Sequence, residues 1–276
     1  MTIPDLTLNT GGDIPQLGLG TWPFDDAEAA DAVVAAAEVG YRHFDTATRY
    51  GNEAGVAEGM RRTGIDRDEL FVTTKLDGEF QGGDRALEGL EAALERMKLD
   101  YVDLLLIHWP LPARGQFVST WHTFEKLHSD GRARAIGVSN FTTGHLDTLL
   151  KEASIVPAVN QLQISPHIPR VEQRAYGAKH GILTESWSPL GGPGARVLDD
   201  PVIVGVAESI GRTPGQVVLR WHVQNGLIAI PKSGNPARMA ENAGVFDFAL
   251  GDDDLAALDG LSRGPAAGVD SDREGH

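Results

Sequence analysis

The 276-residue chain is predicted to form one α/β domain, a (β/α)8 TIM barrel spanning residues 1–276, with a short N-terminal hairpin over about 1–16 and an irregular C-terminal tail over 262–276. Three observations predict it. Short apolar runs alternate with amphipathic stretches about eight times, which calls for a parallel sheet joined by right-handed crossovers. Eight such units within 276 residues close most economically as a barrel. The competing doubly wound sheet would want G-x-G-x-x-G after the first strand, whereas Gly18-Leu19-Gly20-Thr21-Trp22-Pro23 lacks the third glycine.

The elements follow in order. Thr7–Leu8 and Ile14–Gln16 flank Gly11-Gly12-Asp13, a turn signal for a small hairpin. QLGLG precedes Asp25–Gly40, where apolar residues recur at helical spacing behind an acidic first turn. RHFD is a strand and Asn52–Thr63 a helix; Leu70–Lys75 is a strand, and Asp84–Met97 a helix carrying Leu87, Leu90, Leu94 and Met97 on its apolar face. Asp103–His108 is a near-continuous apolar run of the buried, parallel-sheet kind. Thr120–Asp130, ARAIGVSN and Thr143–Ala153 give a helix, a strand and a helix; AVNQLQ, Arg170–His180 and ILTESW repeat the alternation. After the Gly191–Gly194 loop come helices over Pro201–Ile210 and Pro214–Asn225, a last strand Leu227–Pro231, and helical pieces at Pro236–Gly244 and Asp252–Leu261.

Composition excludes several functions. The hydrophobic fraction of 41% can fill a large core, and the formal net charge of -15 argues against binding nucleic acid or an anionic membrane, which needs clustered Lys and Arg. Cysteine is absent, which removes disulfides, thiolate metal sites and cysteine nucleophiles and suits a reducing compartment. The N-terminal residues carry no basic and apolar signal pattern, and no apolar run is long enough to cross a bilayer. A cytoplasmic protein acting as a monomer on a small molecule is expected.

Barrel chemistry sits at the C-terminal strand ends. Those ends carry Asp45, Lys75, His108, Ser139-Asn140, Gln161, Trp187-Ser188 and Lys232-Ser233. Polar strand ends are ordinary where a chain meets water, but an acid and a lysine behind apolar runs are not. A buried, unpaired lysine costs several kcal/mol. Asp45, one strand over, can pair with Lys75 and keep it cationic. A cation beside Tyr50 favours tyrosinate and is expected to lower the phenol from about 10. Such a phenol can donate its proton to an oxygen that becomes anionic, with neutral His108 orienting the same carbonyl. Singly, Asp45 reads as a turn former, His108 as a core histidine and Tyr50 as packing; together at neighbouring strand ends they read as a site. Lys232, Ser233 and Arg238 gather two cations and a hydroxyl after the last strand, where barrels bind phosphate; in isolation, a solvated face is an equal reading.

GYRHFDTATRYGNE, LFVTTKL, YVDLLLIHWP, IGVSN, VPAVNQ, ESWSPLG and IPKSGNPARMAEN together resemble the aldo-keto reductases, in that family's order from Gly18 to Asn242, and look most similar to bacterial 2,5-diketo-D-gluconate reductase-like members. The resemblance implies a catalytic tetrad of Asp45, Tyr50, Lys75 and His108 and a cofactor, NADPH/NADP+, bound extended across the barrel mouth. It implies that Ser139, Asn140 and Gln161 hold the nicotinamide carboxamide, that Trp187 stacks on its ring, and that Gly20, Thr21, Trp22, Ser188 and Leu190 line the cofactor. Lys232, Ser233 and Arg238 then face a 2′-phosphate, with Glu241 and Asn242 toward adenine. Trp22, Asp77, His108 and Trp109 border a carbonyl substrate, and no metal is needed.

The chain departs from the family pattern in places. Gln161-Leu162-Gln163-Ile164-Ser165-Pro166 replaces NQxExHP, and Lys75-Leu76-Asp77 replaces KLW. Asn235 stands where a further basic residue is common, and the short Leu111–Gln116 connection implies a more open pocket. Two other readings are a non-catalytic NADP-binding regulator on the same scaffold, which the complete tetrad disfavours, and a glycosidase using Asp45 and Glu185, which leaves Lys75 and Tyr50 unexplained.

Overall fold

The computed structural model describes residues 2–192 and 194–276. Strands β1 (Asp5–Thr7) and β2 (Asp13–Pro15) form the expected antiparallel hairpin. Eight parallel strands follow in sequential order: β3 (Gly18–Gly20), β4 (His43–Asp45), β5 (Phe71–Leu76), β6 (Val102–Ile107), β7 (Ala133–Ser139), β8 (Val159–Gln163), β9 (Leu183–Trp187) and β10 (Ile228–Ala229). The ring closes where Leu17 bridges Ala229 and where the Ala229 and Gly20 amides donate to the Gln16 and Pro231 carbonyls, at 3.0 and 3.2 Å. Close approach at that seam requires glycine: a Cβ on Gly20 would lie 2.8 Å from the Ile230 carbonyl oxygen.

Helices α1 (Asp26–Glu38), α2 (Glu53–Thr63), α3 (Gly83–Met97), α4 (Phe117–Ser129), α5 (Thr143–Leu150) and α6 (Val171–Lys179) fill the crossovers. They are followed by α7 (Pro201–Ile210), α8 (Pro214–Gln224), α9 (Pro236–Ala243) and α10 (Asp252–Asp259). Local chemistry sets their starts. Asp25, Thr142 and Thr213 each accept from the N3 amide, and proline at N1 follows the caps Asp200, Thr213 and Asn235. The fourth helix begins earlier than Thr120 because Phe117 is buried against Phe141, ring centroids 5.3 Å apart. Leu87 does not join the buried face of α3: it is 37% exposed, while Ala86, Leu90, Ala93, Leu94 and Met97 are buried. It lies about 100° round the helix from Ala86. The last strand is shorter than expected, with two paired residues, although the Ile230 amide still donates to the Ser186 carbonyl at 3.2 Å.

Side-chain alternation sorts each strand into an inner and an outer set. On β6, Leu105 and Ile107 join the helix-facing core, whereas Leu104 and Leu106 join Ile14, Leu8, Val159 and Ile228 in a separate inner cluster. The hairpin therefore plugs the floor of the barrel. The same parity carries β6 from Leu104 and Leu106 to His108, and carries β5 from Thr73 to Lys75. No described helix is long and apolar enough to cross a membrane.

The outer layer is tightest where α1 meets α2, since a Cβ on Gly55 would sit 2.1 Å from the Asp26 carbonyl oxygen. Gly55→Ala should force the two helices apart and destabilise the protein by about 1–3 kcal/mol, measurable as a lower urea midpoint.

Candidate active site

Asp45 closes β4, Lys75 lies near the end of β5, and both side chains are 1% exposed. The register sets Asp45 opposite Thr73, two residues before Lys75, so the long lysine stem reaches across and back to meet the carboxylate. Lys75 Nζ donates to Asp45 Oδ1 at 2.5 Å, to the Thr46 carbonyl at 2.9 Å and to Tyr50 Oη at 3.4 Å. Tyr50 comes from the short 3-10 turn Thr48–Tyr50 just beyond β4, which ends in left-handed Gly51. Asn52 holds that turn: its amide donates to the Thr21 and Phe24 carbonyls at 3.1 and 2.9 Å, and its oxygen accepts from Thr46 at 2.7 Å. The His108 ring stands edge-on to Tyr50, centroids 5.8 Å apart. The four expected tetrad residues converge.

Electrostatics follow from burial. Desolvation alone would push Lys75 down, but Asp45, Tyr50 and Glu185 outweigh it and hold its pKa above the ordinary value, so it stays cationic. Burial, then the Lys75 cation, push His108 well below an ordinary imidazole, so it stays neutral. Its Nδ1 is buried without a partner. The expected lowering of Tyr50 does not occur. Burial raises the phenol and Asp45 adds to the rise, while the Lys75 charge and hydrogen bond pull it back without cancelling it.

One layer below lies the acid that reads from the sequence as a barrel-layer residue. Glu185 is fully buried, and Gln161 Nε2 donates at 2.8 Å both to its Oε2 and to Asp45 Oδ2. Two carboxylates joined through one amide on the same side of the core cannot flank a sugar, so the glycosidase arrangement is absent. Two residues before Trp187 on β9, Glu185 shares its inward parity, and that was the available signal.

The candidate cofactor residues ring the mouth. Ser139 Oγ donates to the Gln161 carbonyl at 3.0 Å, and Asn140, at a left-handed φ of 64°, donates to the His108 carbonyl at 3.1 Å. Trp187 Nε1 donates to Asn140 Oδ1 at 2.9 Å, fixing the indole beside this cluster. Ser188 and Leu190 are half-buried next to it, Thr21 is buried against the Asp45 carbonyl, and Trp22 is 53% exposed. Gln161 spends both amide hydrogens on carboxylates, leaving its oxygen for a further partner.

At the start of α9, Lys232 and Arg238 are exposed with no acidic partner among the described residues, and Lys232 lies 4.6 Å over the Phe24 ring. Ser233 Oγ accepts from the Asn235 amide at 3.1 Å, and Asn235 caps the helix. Glu241 accepts from Thr213 Oγ1, and Asn242 is buried, so these two are less open than Lys232 and Arg238.

The tail over 262–276 is irregular apart from one 3-10 turn, Pro265–Ala267, but it is anchored. Arg170 donates to the Val269 carbonyl at 2.8 Å, the Val269 amide to Gln163 Oε1 at 2.9 Å, and the Gly78 amide to the His276 carbonyl at 3.0 Å. Its end narrows the mouth that the short Leu111–Gln116 connection was expected to leave open. The His276 imidazole bonds Asp77 and stands edge-on to His108, centroids 4.8 Å apart, with Trp109 at 6.0 Å. Burial would raise Asp77, but the His276 hydrogen bond, the Gly78 amide and nearby charge keep it below its ordinary value.

Comparison with known proteins decides the lineage. The sequence profile described as "Aldo/keto reductase family" matches residues 16–263. The chain belongs to the aldo/keto reductase family. This reductase is similar to a morphine 6-dehydrogenase of Pseudomonas putida, 47% identical over 97% of this chain and 94% of that one. It is similar to a methylglyoxal reductase of Escherichia coli O157:H7, 42% identical over 98% of both chains. Among solved structures, a Gox0644 mutant in complex with NADPH superposes with a TM-score of 0.89 at 44% identity, covering 94% of each chain.

The reductase's inner ion pair sets a stability prediction. Lys75→Met should destabilise the protein by about 3–5 kcal/mol at neutral pH, because Asp45 loses its cation. An acid whose folded pKa exceeds its unfolded value is favoured toward low pH, so the deficit should shrink as pH falls. Urea unfolding at pH near 8 and near 5 checks both the size and the sign.

Proposed function

We propose that this reductase catalyses NADPH-dependent reduction of an aldehyde or ketone to the alcohol, with Tyr50 as the general acid. The observation that carries the reading is the single contact chain Asp45–Lys75–Tyr50 with the neutral His108 ring beside the phenol. Dicarbonyls and keto-sugars belong to the proposed substrate class; the E. coli relative is named for methylglyoxal, a dicarbonyl, and the P. putida relative for morphine.

The residues present fit the dinucleotide. Ser139, Asn140 and the Gln161 oxygen offer partners to a carboxamide, and Trp187 offers a flat face. Lys232 and Arg238, lacking acidic partners in a chain of net charge -15, suit a 2′-phosphate. When bound, the reduced nicotinamide supplies the hydride.

The chain's own residues manage the oxygen and its proton. A carbonyl oxygen set between Tyr50 and His108 accepts from both, and its growing charge strengthens both bonds. The O–H bond of Tyr50 breaks as the alcohol O–H forms. Raised by burial, the phenol reaches neutral pH still holding the proton it must give. The Lys75 ammonium, 3.4 Å from Oη, then faces the phenolate, an attraction of about 5 kcal/mol at an effective dielectric of roughly 20. Solvent returns the proton. A monomer working in the cytoplasm completes the proposal, and its mass in solution tests the first part.

Three outcomes are expected. NADPH consumption should follow addition of one or more members of an aldehyde, dicarbonyl and keto-sugar panel, and Tyr50→Phe should lower kcat by about 10²–10⁴-fold while NADPH still quenches tryptophan fluorescence. NADPH binding without turnover on any carbonyl would favour the regulator. Arg238→Ala should weaken NADPH by roughly 10- to 100-fold, the scale of a charged hydrogen bond, and spare NADH; equal losses would remove the phosphate assignment. Because His108 is neutral far into acid, the acid limb of kcat/KM should lie well below pH 6.5.

A further inference from the structure

Beneath the phenol, the core holds one cation and two carboxylates. Asp45 and Glu185 are 1% and 0% exposed and share the Gln161 amide, and of these two carboxylates Lys75 bonds only Asp45. Glu185 Oε1 has no hydrogen-bond partner among the described residues although it is buried. An ionised oxygen in that position would be an uncompensated charge, whereas a protonated carboxyl needs no counter-ion. We infer that Glu185 is a positioning residue for the proton transfer: held as the neutral acid next to the Asp45–Lys75 pair, it leaves the full ammonium charge to Tyr50, and its ionisation divides that charge between two carboxylates and makes the phenol a weaker acid. The inference rests on the reductase reading for its kinetic consequence, but the protonation itself does not.

The surrounding groups support this assignment. Burial, then the Asp45 charge, push Glu185 up to about 8, with Gln161 and Lys75 opposing. The groups facing it are Asp45, Lys75 and Tyr50 above, and His43 from β4, whose Nε2 lies 3.6 Å from Oε1. Burial drives His43 down to about 3, so it carries no charge in this range. The two carboxylates titrate as a pair: the first proton lost on raising pH comes from Asp45, which Lys75 touches, and the second comes from Glu185, which it does not. Glu185 ionisation then raises Tyr50 further, the direction in which its charge already acts on the phenol.

Glu185→Gln keeps an oxygen to accept from Gln161 but cannot ionise. In carbonyl reduction, wild-type kcat should fall several-fold as pH rises through about 8, and the variant should lose that step. In alcohol oxidation, where tyrosinate is the base, the apparent pKa of Tyr50 should drop by roughly half a unit to one unit in the variant. A purely structural role would change the height of these profiles without moving them. Infrared difference spectra of the ligand-free wild type provide the reading independent of turnover. A protonated-carboxyl carbonyl band should vanish between pH 7 and pH 9, and be missing from Glu185→Gln, whose thermal melt verifies its folding. A variant profile with the wild-type step, or a wild type without the band, would overturn the inference. The band without any carbonyl turnover would instead retain the protonated acid and discard the reductase reading.

Discussion

The site depends on one ion pair formed where water cannot reach it. Lys75 and Asp45 come from adjacent strands and are almost wholly buried, so neither charge is tolerable without the other. Their pairing fixes the third donor direction of the ammonium toward Tyr50, after Asp45 and the Thr46 carbonyl have taken the first two. The chemistry is therefore set by the charge that the core must hold neutral overall. Glu185 has no cation of its own, and its proton serves as its counter-charge.

The rest of the fold makes this pair possible. The hairpin seals the floor with Leu8 and Ile14, Leu104 and Leu106 form an apolar layer above it, and only then do polar groups begin. Neutral His108 follows on the same face of β6. Above them, Asn140 and Trp187 are bonded to each other, so the rim around the phenol is fixed by side-chain contacts as well as by the backbone.

Much of this was legible in the sequence. Strand-helix alternation gave the barrel, and the apolar runs ending in Asp45, Lys75 and His108 marked the site because runs of that kind are buried on both faces. The element ends shifted by a residue or a few, as at Phe117, where a buried aromatic pair extends the helix through a stretch without helical periodicity. Leu87 was misplaced because leucine spacing was read without the alanines that form the packed face. One misreading and one unread connection concern the site itself. The direction of the Tyr50 shift depends on how much burial opposes Lys75, a balance set by depth, and depth is not written in residue type. Glu185, two residues before Trp187, reads as a barrel-layer residue, but its link through Gln161 to Asp45 joins three strands and has no local signal. The position of His276 beside Asp77 and His108 had no local signal, since it joins residues nearly 200 positions apart.

The inner parity of the strands divides labour by height. The residues that balance charge, Glu185, Gln161, Asp45 and Lys75, lie within the staves, whereas Trp22, Trp109, Asp77 and the 262–276 segment occupy the rim. Loops and tail can be exchanged without disturbing the proton inventory beneath them. A lineage built on this plan can vary its rim while inheriting the buried ion pair unchanged.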